Sequence, residues 1–222
     1  FIFVSDNNQL LLFDRNRKFL RQIGSKGRGP EEYSNIGNFI VDNNRREIYV
    51  LSSRVVLVYN FNGHFKRDFK NDFPSRQFVL NESGDLVLHP FNFPQPTTDT
   101  VYSWYIVDKF GSIQTKIKNT LKRVNGGVII PFSPLYMYNG TLHFMEFGID
   151  TLYSYDNLKK IPYAIFYFGS LKLPPDPTMA EVPNIEGKIW VSDVRETKKS
   201  LLIKVWGGLS GPISNCIFDK SS

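Results

Sequence analysis

Residues 22–39, QIGSKGRGPEEYSNIGNF, space their glycines like a phosphate cradle. A P-loop needs Gly, four residues, then Gly-Lys and Ser or Thr, so that backbone N–H groups, an ammonium and a magnesium-binding hydroxyl all meet the phosphates. Gly24 and Gly29 have the spacing, but Pro30 and Glu31 follow where the lysine and the hydroxyl should stand. A dinucleotide fingerprint begins at Gly27 and Gly29 and fails at Glu32, which takes the place of the third glycine. The adjacent carboxylates of Glu31 and Glu32 would also repel a phosphate. The segment therefore reads as a turn in the chain.

Other chemistries are sparse. The chain has three histidines, His64, His89 and His143, and one cysteine, Cys216, which excludes an intrachain disulfide. Neither G-x-S-x-G nor a triad spacing is present for serine hydrolysis. The sequons at Asn81 and Asn139 fall where tight turns are expected.

The elements that position these residues follow from an internal repeat. Aligning FIFVSDNNQLLLFDRNRKFLRQI with EIYVLSSRVVLVYNFNGHFKRDF matches Val4 with Val50, Phe13 with Tyr59, Asp14 with Asn60, Phe19 with Phe65 and Arg21 with Arg67. The motif returns around Asp108, Asp156 and Asp219. Each unit reads as four short strands, for example 38–42, 47–53, 55–60 and 64–69. Turn residues separate the strands: Asn43-Asn44, Asn62-Gly63, Gly84-Asp85, Phe110-Gly111 and Asn139-Gly140. No period of 3.6 is sustained. Nineteen Phe and 11 Tyr against three Met suit pleated, half-buried surfaces.

Four-stranded meanders of about 45 residues predict an all-β β-propeller, one domain over residues 1–222, with helix content near zero. The Gly-rich segment then joins the outermost strand of one blade to the innermost strand of the next. About four and a half to five blades are represented, the first lacking its inner strand and the last its outer one. On this count the intact protein carries roughly one further blade of about 45 residues, and FIFVSD and CIFDKSS are left as pairing edges. The longest apolar runs are too short to span a bilayer.

FDRNRKFL, GSKGRGPEEY and VDNNRREIYVL resemble the exported six-bladed β-propeller proteins of gut Bacteroidetes, related to NHL-repeat and TolB-like propellers. The resemblance implies a six-bladed ring, secreted or lipid-anchored, in the periplasm or at the outer membrane. A carbohydrate or a cell-envelope protein would suit that setting as partner.

Propeller geometry puts the short hairpin turns on one face, and the blade crossovers and second-to-third-strand loops on the other. Long loops on a rigid scaffold are where binding is expected. Candidate ligand contacts are Arg28, Glu31 and Tyr33 on the crossover, Arg54 on its neighbouring loop, and Phe91 and Phe93. The three histidines occupy non-equivalent strand positions, which disfavours zinc and suggests solvated or hydrogen-bonded side chains. The alternative reading is a metal-dependent lactonase or lyase with Asn38 and Asp193 as inward ligands. The formal net charge of +6 is spread over outer-strand and hairpin positions such as Arg15, Lys18, Lys66, Arg67 and Lys160. That placement fits solvated charge that blocks edge pairing better than a nucleic-acid stripe. The reading favoured is a non-enzymatic binding propeller without a cofactor.

Overall fold

The computed structural model describes residues 1–6, 8–71, 75–90, 102–118, 133–146, 148–156, 159–173, 186–208 and 211–221. Five small antiparallel sheets follow one another along the chain, each a meander in sequence order. The first holds β1 (Ile2–Ser5), β2 (Leu10–Phe13) and β3 (Phe19–Gln22). The second holds β4 (Asn38–Asp42), β5 (Glu47–Ser52), β6 (Val55–Asn60) and β7 (Phe65–Lys70). β8 (Ser75–Leu80), β9 (Leu86–Pro90), β10 (Tyr102–Val107) and β11 (Ile113–Lys118) form the third. The fourth is built from β12 (Leu135–Tyr138), β13 (Thr141–Phe144), β14 (Thr151–Asp156) and β15 (Lys159–Ile165), and the fifth from β16 (Ile189–Glu196), β17 (Ser200–Gly207) and β18 (Ile213–Asp219). This is the five-blade propeller arrangement that the repeat predicts. The one helical turn among the described residues is a 3-10 turn at Gly169–Leu171.

The repeated Asp or Asn has a local cause. Asn60 Oδ1 accepts the N–H groups of Asn62 (2.9 Å) and His64 (3.0 Å). Asp108 Oδ1 accepts those of Phe110 (2.8 Å) and Ser112 (2.9 Å). Asp14 Oδ1 accepts that of Lys18, and Asp219 Oδ1 that of Ser221, both at 2.9 Å. In each case the side chain closes the turn that follows the third strand of a blade or its equivalent, which is why the motif recurs. The expected turn glycines Gly63, Gly84, Gly111 and Gly140 all have positive φ. At Asn43-Asn44 the turn differs from expectation: the left-handed residue is Arg46 (φ 54°), and Asp42 Oδ1 caps the N–H groups of Asn44 and Arg45.

The chain divides into two compact units, Phe1–Phe91 with Trp104–Lys116, and Asn92–Ser103 with Ile117–Ser222. In the first, β5 is buried along its whole length. Ile48 and Val50 pack with Leu10, Leu12, Tyr33 and Tyr59, while Tyr49 and Leu51 pack with Phe78, Leu86 and Leu88. A strand apolar on both sides must lie between two layers, so alternate side chains serve successive blades. In the second unit, Tyr136, Met145 and Leu152 of the fourth sheet pack against Val191, Val194 and Leu201 of the fifth.

Candidate functional site

The crossover is folded around a carboxylate of its own. Glu32 Oε2 accepts the Gly29 N–H at 2.9 Å, and Oε1 accepts the Ser25 hydroxyl at 3.3 Å. Gly27 N–H bonds the Tyr33 carbonyl at 3.1 Å, and Tyr33 N–H bonds the Ser25 carbonyl at 3.0 Å. Glu32 thus takes up the Gly29 N–H that a phosphate cradle would turn towards its ligand. Only Gly24 uses a left-handed φ, of 61°. The buried Tyr59 hydroxyl anchors the loop from below by donating to the Glu31 carbonyl at 2.8 Å.

Arg28 and Glu31 are exposed on this loop, and Arg54 is exposed on the β5–β6 turn. The turn is tied to the crossover. Ser52 Oγ accepts the N–H groups of Ser34 (3.1 Å) and Asn35 (3.4 Å), and the Ser53 hydroxyl donates to Asn35 Oδ1 at 3.0 Å. Tyr33 is placed differently from these three: it is fully buried, edge-on to Tyr59 with ring centroids 6.4 Å apart, and belongs to the core. Burial raises its phenol pKa. Its place beside a glycine loop predicts a contact, whereas the blade uses the ring as packing. Phe91 and Phe93 lie outside the described residues.

Asn38 and Asp193 are each engaged locally. Asn38 Oδ1 accepts the N–H of Phe39 at 2.8 Å, and Asp193 pairs with Arg195 at 3.0 Å. The two belong to different units of the chain. Among the described residues no three His, Cys, Asp or Glu side chains converge to hold a metal. His64 is exposed at a hairpin turn, and His89 packs on Trp104 at 4.6 Å. His143 corrects the expectation of a solvated or hydrogen-bonded histidine. It is buried, stacked on Tyr136 (5.1 Å, 10°) and edge-on to Tyr163 (4.4 Å), and its Nδ1 has no hydrogen-bond partner.

Sequence reasoning missed three buried glutamates. Glu47 receives the two terminal guanidinium nitrogens of Arg67 at 2.8 Å, the Lys66 ammonium at 2.5 Å and the Tyr49 hydroxyl at 2.9 Å. The Arg67 pair, with Lys66 and Tyr49, outweighs the effect of burial and holds the Glu47 carboxyl down at about 2. Glu146 receives the Lys160 ammonium at 2.8 Å and the Ser103 hydroxyl at 2.9 Å. Glu196 receives Tyr136 Oη at 2.7 Å, Tyr163 Oη at 2.5 Å and the Lys220 ammonium. Burial pushes the Glu196 carboxyl up, but Lys220 and the two hydroxyls pull it further down, below its usual range. Lys66, Arg67 and Lys160 are therefore ion-pair partners of buried carboxylates as well as outer-strand cations.

Solved structures share this arrangement. A Bacteroides fragilis protein named as exported superposes with a TM-score of 0.73 at 20% identity, over 99% of this chain and 68% of that one. A Bacteroides thetaiotaomicron protein of unknown function gives 0.55 at 11% identity, over 96% of this chain and 55% of that one. A Bacteroides caccae protein, also of unknown function, gives 0.50 at 8% identity, over 99% and 72%. At these identities the likeness is one of fold. No curated protein matches the sequence at a significant level. The model of one family, described as a domain of unknown function (DUF4934), matches residues 1–222, the crossover and all five sheets included, and the chain belongs to that family.

Proposed function

We propose that this chain is an exported binding propeller of the bacterial cell envelope, without catalytic activity, that takes a carbohydrate or a protein partner on its long-loop face. The observation that carries this reading is the crossover: Arg28, Glu31 and Arg54 are exposed on backbone fixed by Glu32, Tyr59 and Ser52. Charged donors and acceptors held on a pre-formed loop can engage hydroxyl, amide or carboxylate groups at small entropic cost. Likeness to a B. fragilis protein named as exported supports the location. Phe93 remains an expected apolar contact of the ligand.

Thermal-shift screening against envelope glycans and peptides tests the reading. A hit is expected to lose its stabilising effect in Arg28→Ala/Arg54→Ala and to weaken in Phe93→Ala. A hit that both variants retain in full would remove the named site. A stoichiometric metal ion in purified protein would instead favour the lactonase or lyase reading.

A further inference from the structure

Two hairpin turns among the described residues carry the dipeptide Asn-Gly: Asn62-Gly63 between β6 and β7, and Asn139-Gly140 between β12 and β13. A third, Asn125-Gly126, lies outside the described residues. Asparagine is chemically labile, and most so before glycine, where no side chain shields the next backbone nitrogen. The glycine N–H gives its proton to hydroxide, and the nitrogen attacks the asparagine Cγ. The side-chain nitrogen takes a proton from water and leaves as ammonia, which closes a succinimide ring. Water then opens the ring at one carbonyl to give aspartate, or at the other to give isoaspartate. The glycine nitrogen and the asparagine side chain must both be free for this to happen.

The two turns differ on that point. Asn62 Oδ1 accepts the Arg21 guanidinium at 2.9 Å, which holds the side-chain amide. The Gly63 N–H, the nucleophile, is bound to the Asn60 carbonyl at 2.9 Å, and the Gly63 carbonyl accepts the Gly24 N–H at 3.3 Å. The Asn62 N–H is bound to Asn60 Oδ1, also at 2.9 Å. Asn139 and Gly140 are both exposed. Among the described residues, neither the Asn139 side chain nor the Gly140 N–H has a hydrogen-bond partner. Their φ values of 46° and 76° are the paired left-handed conformation of a two-residue hairpin turn.

That turn fixes a register with consequences for the core. Tyr138 pairs with Thr141, Met137 with Leu142, and Tyr136 with His143. Isoaspartate routes the main chain through its own side chain and so adds a methylene to the turn. The length of a hairpin turn sets the pairing of its strands. The stacked rings of Tyr136 and His143, 5.1 Å apart, depend on that pairing.

We infer that Asn139-Gly140 is a site of spontaneous deamidation in the folded protein, that Asn62-Gly63 is protected, and that the isoaspartyl product loosens the β12–β13 hairpin. The chain thus carries a point of chemical ageing at one turn of its second unit. The inference is independent of any ligand at the crossover.

The folded chain, incubated at mildly alkaline pH and mapped by peptide mass spectrometry, tests this, with isoaspartate counted by enzymatic methylation. The hydrogen bonds that must break first should make Asn62 at least about tenfold slower to react than Asn139. In strong urea the two sites should react at similar rates, because the protection is structural. Equal rates in the folded chain, or a difference that persists unchanged in urea, would overturn the assignment. The isoaspartyl fraction should also unfold at a lower urea midpoint than Asn139→Asp, which carries the same charge without the added methylene. An isoaspartyl fraction as stable as Asn139→Asp would overturn the effect on the hairpin.

Discussion

The Glu32 carboxylate fills the space that glycine leaves at position 27: a β-carbon there would lie 1.8 Å from Glu32 Oε2. Gly27→Ala should displace the carboxylate, release the Gly29 N–H and destabilise the fold by about 1–2 kcal/mol. Glu32→Ala should cost a similar amount. Since both act on one contact, the double variant should fall well short of the sum. Strict additivity in urea unfolding would show that the contact does not exist in solution.

Tyr59 connects the crossover to the core through its bond to the Glu31 carbonyl. Tyr59→Phe keeps the packing and removes the donor, so it should cost about 1 kcal/mol. Amide exchange at Gly27, Gly29 and Glu32 should quicken more than exchange in β5. Uniform acceleration along the chain would mean that the hydroxyl does not anchor the loop.

Glu47 gives the first unit an acid limit. Its carboxyl pKa falls from 4.5 to about 2 on folding. The stabilisation is therefore complete above the unfolded value and is lost as pH falls from about 4.5 towards 2. The urea midpoint of the wild type should drop through that interval, and Glu47→Gln, already weaker at neutral pH, should show a flatter profile.

His143 sets a second, milder limit in the other unit. Burial lowers its pKa below 6.5, with Glu196 opposing that shift and Lys220 adding to it. Tyr136, Tyr138 and Tyr163 are the other titratable groups packed against the ring. Below pH 6.5 the unfolded chain takes up a proton that the folded one resists, so stability falls with acidity there. His143→Phe should remove this slope below about pH 6.5, as read by urea midpoints at half-unit steps.

The strands were legible because their signals are local. Asn62-Gly63 and Phe110-Gly111 announce hairpins, and the recurring Asp or Asn marks the turn it closes. The Glu32 cradle was within reach too, since its partners Gly29 and Ser25 lie three and seven residues away. Glu47 and Glu196 were not legible. Charged residues read as surface in any one-dimensional pattern, and their burial depends on Arg67 and Tyr136, 20 and 60 residues distant. Tyr33 misled for the same reason: its neighbour Tyr59 is set by blade packing, which spacing in a loop does not encode.

The three buried glutamates occupy different places in their repeats: Glu47 opens a second strand, Glu146 follows one, and Glu196 ends a first strand. A chain made of near-copies risks assembling in the wrong order, because one blade's apolar face resembles another's. Here a mispaired copy would bury a carboxylate without its cation or hydroxyls, at a cost of several kcal/mol. The ion pairs should therefore discriminate among self-similar alternatives during folding, and kinetic partitioning between correct and misassembled chains should depend on them more than final stability does.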